Sequence, residues 1–252
     1  MRRPALWGLS ALVLLWAGGA SASDLCPVPA TTSLTTAGLA HTRAELAAGR
    51  PLTVVAIGSS STAGTGASAP SATYPAQLQQ MLGRLHPNSR IDVLNKGIGG
   101  ETAEKNLIRF ATDVLAEKPD LVIWQIGTND SFQNLPLPAF LDTVREGAAL
   151  IGKAGADLIL MNPQHFPGEV KNASYRGFVD GVADLGRELG APVLDRYGIM
   201  KFWLDGGHFT AESVLSADGF HLKDASYRCL AEYLTTMIEA GPSTVGKTAS
   251  AR

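Results

Sequence analysis

The sequence predicts an α/β protein built on a parallel sheet. Two observations carry that prediction. Short apolar, β-branched runs alternate with longer segments whose apolar residues recur at helical spacing. The residues with chemical potential follow the runs, as they do in a parallel sheet, where ligands bind outside the carboxyl ends of the strands. With 252 residues, 45% hydrophobic and 17% charged, the chain can bury one core of ordinary size.

The first segment stands apart from the fold. Arg2 and Arg3 precede the apolar run "ALWGLSALVLLWAGGA", and "SAS" follows before Asp24. A basic start, an apolar stretch and small residues form the pattern of a secretory signal peptide, expected over residues 1–23. The run is shorter than the ~20 apolar residues of a spanning helix, so no stable membrane anchor is expected after cleavage. Leu25 stands where a lipid attachment site ahead of Cys26 would carry a small residue. A periplasmic or secreted protein is expected. Losing Arg2 and Arg3 moves the formal charge from −2 to −4, and no basic cluster stands out, which argues against a nucleic-acid partner.

The elements follow in order. "TRAELAAG" (Thr42–Gly49) reads as a helix ahead of the sheet. Strands are expected at Leu52–Ile57, Ile91–Leu94, Leu121–Ile126, Asp157–Met161 and Pro192–Asp195. The first and third are apolar almost throughout, as strands buried on both faces are. Helices are expected at Tyr74–His86, Glu101–Lys118, Leu137–Gly155, Tyr175–Gly190 and Asp224–Ala240. Alternation of this kind gives right-handed βαβ units in one domain, residues 24–241. The small, polar tail, residues 242–252, is expected to be disordered.

Cys26 and Cys229 are the two cysteines of the chain. In an oxidising compartment an even pair suits a disulfide, here closing a loop of about two hundred residues. The alternative is that Cys229, inside a helical pattern, is a buried thiol. Without a Cys-x-x-Cys or a histidine cluster, neither cysteine suggests a zinc site, and no metal or cofactor is expected.

The loop after the first strand, "GSSSTAGTGASAP", poses the main question. "GTGASA" fits a loose G-x-G-x-x-A dinucleotide pattern. However, it begins six residues past Gly58 and runs into "PSATYP", which delays the helix, and Asp92 lies inside the second strand rather than at a strand end. The four consecutive hydroxyls Ser59 to Thr62 fit a nucleophile loop better. A serine nucleophile needs a base, a carboxylate to orient the base, and donors for the oxyanion. Asp218 and His221, three apart in "DGFHL", can supply the first two. His165 in "MNPQHFP" and His208 in "LDGGHFT" are rival bases. His165 and Gln164, after the fourth strand, are candidate pocket residues. Trp124 reads as core, Trp203 as pocket or packing, and Gly97 and Gly99 as turn residues.

"GSSSTAG", "NKGIGGET", "IGTND" and "DGFHL", in this order and spacing, resemble the SGNH (GDSL-type) hydrolase family from about Leu52 to Ala240. The resemblance implies a flavodoxin-like three-layer α/β/α sandwich with a five-stranded parallel sheet. It implies a serine esterase without a cofactor. Ser60 would be the nucleophile, Asp218 and His221 the acid and base. The oxyanion donors would be the backbone N–H of Ser60 and Gly100 and the side chain of Asn129, with Asp130 a loop-stabilising acceptor. The export signal points to small-molecule or polysaccharide esters, O-acetyl groups foremost. A lysophospholipase, thioesterase or acyltransferase would use the same residues. One departure stands out: the family's usual aspartate before the nucleophile is Ser59 here. That departure alone would favour a carbohydrate-binding protein without catalysis.

Overall fold

In the computed structural model, residues 26–29 and 38–240 are described. The signal segment and the C-terminal tail expected from the sequence lie outside the described residues. After helix α1 (Ala40–Ala47), strands β1 (Leu52–Gly58), β2 (Ile91–Gly97), β3 (Leu121–Gln125), β4 (Asp157–Met161) and β5 (Val193–Leu194) form one sheet in the order β2-β1-β3-β4-β5. Every pairing is parallel. This is the flavodoxin-like order, and the chain reverses direction across the sheet between β1 and β3.

The alternation along β1 shows why it is apolar throughout. Val54 and Ala56 face one core with α3 (Tyr74–Leu85), α9 (Arg196–Asp205) and α11 (Asp224–Glu239). Val55 and Ile57 face the other, with α7 (Leu137–Lys153) and most of the buried face of α8 (Tyr175–Leu189). Successive strand side chains point to opposite faces, so a strand covered on both sides has no polar face. The result is the three-layer α/β/α sandwich.

The largest differences from the sequence expectation lie in two regions. The helix expected over Glu101–Lys118 is broken into α4 (Ala103–Ile108), α5 (Phe110–Asp113) and a 3-10 turn at Leu115–Glu117. Arg109 leaves the helical conformation at φ −100°, and its guanidinium binds Glu101, Asp113 and the carbonyl of Lys96. The break turns Phe110 onto Trp124, ring centroids 4.7 Å apart. The fifth strand is confined to Val193–Leu194, because Asp195 caps α9 by accepting the N–H of Gly198 at 3.0 Å. That helix was not expected. Trp203 within it is packing, buried and donating to the carbonyl of Pro27 at 2.7 Å.

Cys26 and Cys229 are bonded, tying the described N-terminal segment to α11. No described helix is long and apolar enough to cross a membrane.

Candidate active site

The site lies where β1 and β3 end side by side, at the switch in strand order. β1 runs to Gly58, and Ser60 opens the short helix α2 (Ser60–Ala63). The carbonyl of Ser59 accepts the N–H groups of Thr62 and Ala63, which closes that turn and lifts Ser60 to the sheet edge. Opposite, after the short helix α10 (Ala211–Val214), the bridge between Leu215 and Leu222 pinches off a tight loop that holds Asp218 and His221. Asp218 Oδ1 accepts the N–H groups of Phe220 at 2.9 Å and His221 at 3.0 Å, a local turn that aspartate favours. Its other oxygen, Oδ2, lies 2.6 Å from Nδ1 of His221, and Nε2 of His221 lies 3.0 Å from Oγ of Ser60. The three residues therefore form one hydrogen-bonded chain. The carboxylate fixes the tautomer with hydrogen on Nδ1, leaving Nε2 to accept from the serine. Burial alone would raise the pKa of Asp218. The bonds from the His221 ring and the two N–H groups outweigh it and hold the carboxyl below its ordinary range.

The second and third loops are bound to each other. Asp130, in α6 (Thr128–Phe132), accepts the N–H of Ala103 through Oδ1 at 2.9 Å and that of Gly127 through Oδ2 at 3.1 Å. Its pKa is raised by burial, which these bonds only partly offset. Asn129 Nδ2 donates to the carbonyl of Glu101 at 2.8 Å, and Gln133 Nε2 to that of Gly100 at 3.3 Å. One of the two Asn129 amide hydrogens thus anchors the side chain, and the other is available to a ligand. Gly100 has φ +79°, a conformation that suits glycine, and no atom lies within 4 Å of where a Cβ would be. The neighbouring Gly99 comes near the serine: its Cβ position would lie 4.0 Å from Cβ of Ser60.

The stretch that resembled a dinucleotide loop packs against the histidine loop. At Gly66, φ +92°, a Cβ would stand 2.4 Å from the carbonyl oxygen of Leu222. Its role is close approach between backbones.

Ser59, the departure from the family pattern, is buried beside Gln125 at the end of β3. Gln125 Oε1 accepts the N–H of Ser59 at 2.9 Å, its hydroxyl at 3.0 Å and the hydroxyl of Thr62 at 3.3 Å. An aspartate here would set its charge against that oxygen. Turning the Gln125 amide over would then leave the Ser59 N–H without an acceptor. Ser59→Asp is therefore expected to lower stability by about 1–3 kcal/mol, read as a lower denaturation midpoint. The sequence signal for Gln125 was present: one polar residue in the otherwise apolar run "LVIWQI".

Other candidates fall elsewhere. Gln164 does not line a pocket: it is fully buried. Its Oε1 accepts from Ser61 Oγ at 3.1 Å, and its Nε2 donates to the carbonyl of Phe220 at 3.0 Å. It braces the Ser60 turn against the His221 loop. His165 lines a separate cavity of about 460 Å³, between Glu169 at 3.1 Å and Asp205 at 3.3 Å. Neither Ser60 nor His221 lines that cavity. His208 packs against Phe202, ring centroids 4.0 Å apart and tilted by 35°. Among the described residues, no group of three or more His, Cys, Asp or Glu is arranged to hold a metal ion.

Apolar side chains border the triad. Ile98, next to Gly99, is exposed. Phe132 is also exposed, and its ring lies 5.6 Å from that of Phe220, which is 4.8 Å from the His221 ring.

Known proteins resemble this chain to differing extents. An acetylxylan esterase from Geobacillus stearothermophilus is 40% identical over 65 residues, 26% of this chain and 30% of that esterase. The match therefore spans under a third of its length. An arylesterase from Vibrio mimicus is 25% identical over 163 residues, covering 64% of this chain and 76% of that protein. Among solved structures, a lipolytic protein of the G-D-S-L family from Desulfitobacterium hafniense DCB-2 superimposes with a TM-score of 0.63 at 27% identity. That likeness covers 73% of this chain and 98% of the other. These likenesses agree with the SGNH-type resemblance carried by the four sequence blocks. Residues 25–244 match the non-GDSL lipase-like family, and the chain belongs to that family.

Proposed function

We infer that the protein is an exported serine esterase that hydrolyses short-chain carboxylic esters, with O-acetyl groups on carbohydrates as the preferred substrate. The observation that carries this reading is the unbroken hydrogen-bonded path from Ser60 Oγ through His221 to Asp218. Ser60 Oγ attacks the ester carbonyl while Nε2 of His221 takes its proton. Asp218 stabilises the imidazolium that results. The oxyanion is received by the N–H groups of Ser60 and Gly100 and the second amide hydrogen of Asn129. His221 returns the proton to the departing alcohol. A water molecule, activated by the same histidine, then releases the acid from Ser60.

Export rests on the pattern of residues 1–23. The substrate class is supported by the exported pattern, by the exposed rim of Ile98 and Phe132, and by the acetylxylan esterase among the relatives. The bonding of Ser59 to Gln125 gives that position a structural role, which supports the catalytic reading over a non-catalytic binding protein.

The test is a substrate panel: aryl esters from acetyl to octanoyl, acetylated xylan and acetylated mannan, each with a Ser60→Ala control. Turnover of acetyl esters and polysaccharides, falling as the acyl chain lengthens, is expected. Preference for the octanoyl ester overturns the substrate class. Activity equal to the control on every ester overturns the esterase.

A further inference from the structure

Arg196, the first residue of α9, is completely buried. Its Nε donates to the carbonyl of Asn162 at 3.1 Å, but neither Nη1 nor Nη2 meets a hydrogen-bond acceptor. The ionisable groups acting on it are Tyr175, Tyr227 and Tyr74, and no carboxylate is among them. A guanidinium stays protonated in a protein interior, so a cation without an ionic partner lies in the core. A supporting arginine would spread its five donors over carbonyls or a carboxylate, and here only one is so used.

Each tyrosine reaches a different part of the catalytic centre. Tyr227 donates its hydroxyl to the carbonyl of Thr65, just past the nucleophile turn, at 2.7 Å. Tyr74 shares a 3.1 Å bond with the hydroxyl of Thr62, inside that turn. Tyr175 donates to the carbonyl of Gln164 at 2.7 Å. Gln164 in turn holds Ser61 and Phe220, the neighbours of Ser60 and His221. Two of the three phenolic protons are thus committed outward, to backbone carbonyls. A cation at the centre favours that arrangement, because it attracts the oxygen lone pairs inward and turns the O–H bonds away.

We propose that Arg196 is a positioning residue for ester hydrolysis, acting through Tyr74, Tyr175 and Tyr227 to hold the Ser60 turn and the His221 loop in register. The proposal rests on the esterase reading above. It separates two quantities that a structural residue would move together. Removing a buried, unpaired charge is neutral or stabilising, whereas small displacements of a nucleophile cost much of the rate.

The test is Arg196→Met in the full chain, with an acetyl ester as substrate. The expected result is an unchanged or higher Tm, KM within about twofold, and kcat lowered about 10- to 100-fold. Tyr227→Phe is expected to lower kcat about fivefold in the native protein and to have no further effect beside Arg196→Met. Wild-type kcat in Arg196→Met overturns the proposal, as does full additivity with Tyr227→Phe. Should the methionine variant not fold, Tyr227→Phe and Tyr175→Phe decide, since they keep the cation and the rings. A fivefold loss in kcat at constant KM supports the proposal, and wild-type kcat in both overturns it. If the wild-type protein hydrolyses no ester, the esterase reading itself has failed. An active wild type with an equally active Arg196→Met fails this proposal alone.

Discussion

Ser60→Ala is expected to lower kcat on an acetyl ester by about 10^4- to 10^6-fold, with KM and Tm close to wild type. The size follows from what is removed. Without Oγ there is no covalent path, and His221 and Asp218 have no proton to move for it. The proposed oxyanion donors are untouched by the change, so a residual rate above that of water is expected. The fold is indifferent to the change: the turn at Ser60 is held by backbone bonds from Thr62, Ala63 and Gly64 and by the Ser59–Gln125 pair, none of which uses the Ser60 side chain. Single-turnover kinetics with an aryl acetate checks the assignment directly. Wild type should release a burst of phenol or fall to a common acyl-enzyme, and the variant should do neither. A loss smaller than about tenfold would mean that another group attacks.

The second large effect concerns the disulfide. Cys26 and Cys229 are separated by 203 positions, and the chain-entropy relation gives about 5 kcal/mol for a loop that long. Measured bridges more often contribute 2–4 kcal/mol, so Cys229→Ser is expected to cost at least about 2 kcal/mol and to lower Tm by roughly 5–15 °C. Two further contacts are placed at risk, because Trp203 and Tyr233 both donate to the carbonyl of Pro27, next to Cys26. Thermal unfolding of wild type, Cys26→Ser and Cys229→Ser with and without a reductant checks this. The wild type should fall to the level of the variants on reduction, and the variants should not respond. Esterase activity of the folded fraction at 25 °C should be retained, since neither cysteine touches the triad.

Much of this architecture was legible in the residues. β1 and β3 declared themselves by apolar side chains at both parities, which two-sided burial requires. The alternation with amphipathic helices fixed parallel pairing, and parallel pairing located the useful loops at strand ends. What escaped was set by contacts between distant side chains. The break after Ile108 depends on Arg109 finding Glu101, Asp113 and a carbonyl of β2. Helix α9 begins immediately after a two-residue strand, leaving no loop to announce it. Gln164 was itself expected in the pocket, yet its amide points inward to join the Ser60 and His221 loops. Arg196 carries no local signal at all, because nothing in "LDRYGIM" tells that its guanidinium is enclosed.

Ser60 and His221 are 161 positions apart, and His221 sits just ahead of the last described helix. Ordering the Ser60 turn requires β1 and β3, while ordering His221 requires α11 docked on the sheet. Contacts of such sequence separation form late, after the entropy of closing the intervening chain has been met. Enzymatic competence should therefore be a reporter of completed folding. During refolding from denaturant, secondary structure is expected to return before hydrolysis does, and the lag between the two measures the docking of the C-terminal helix.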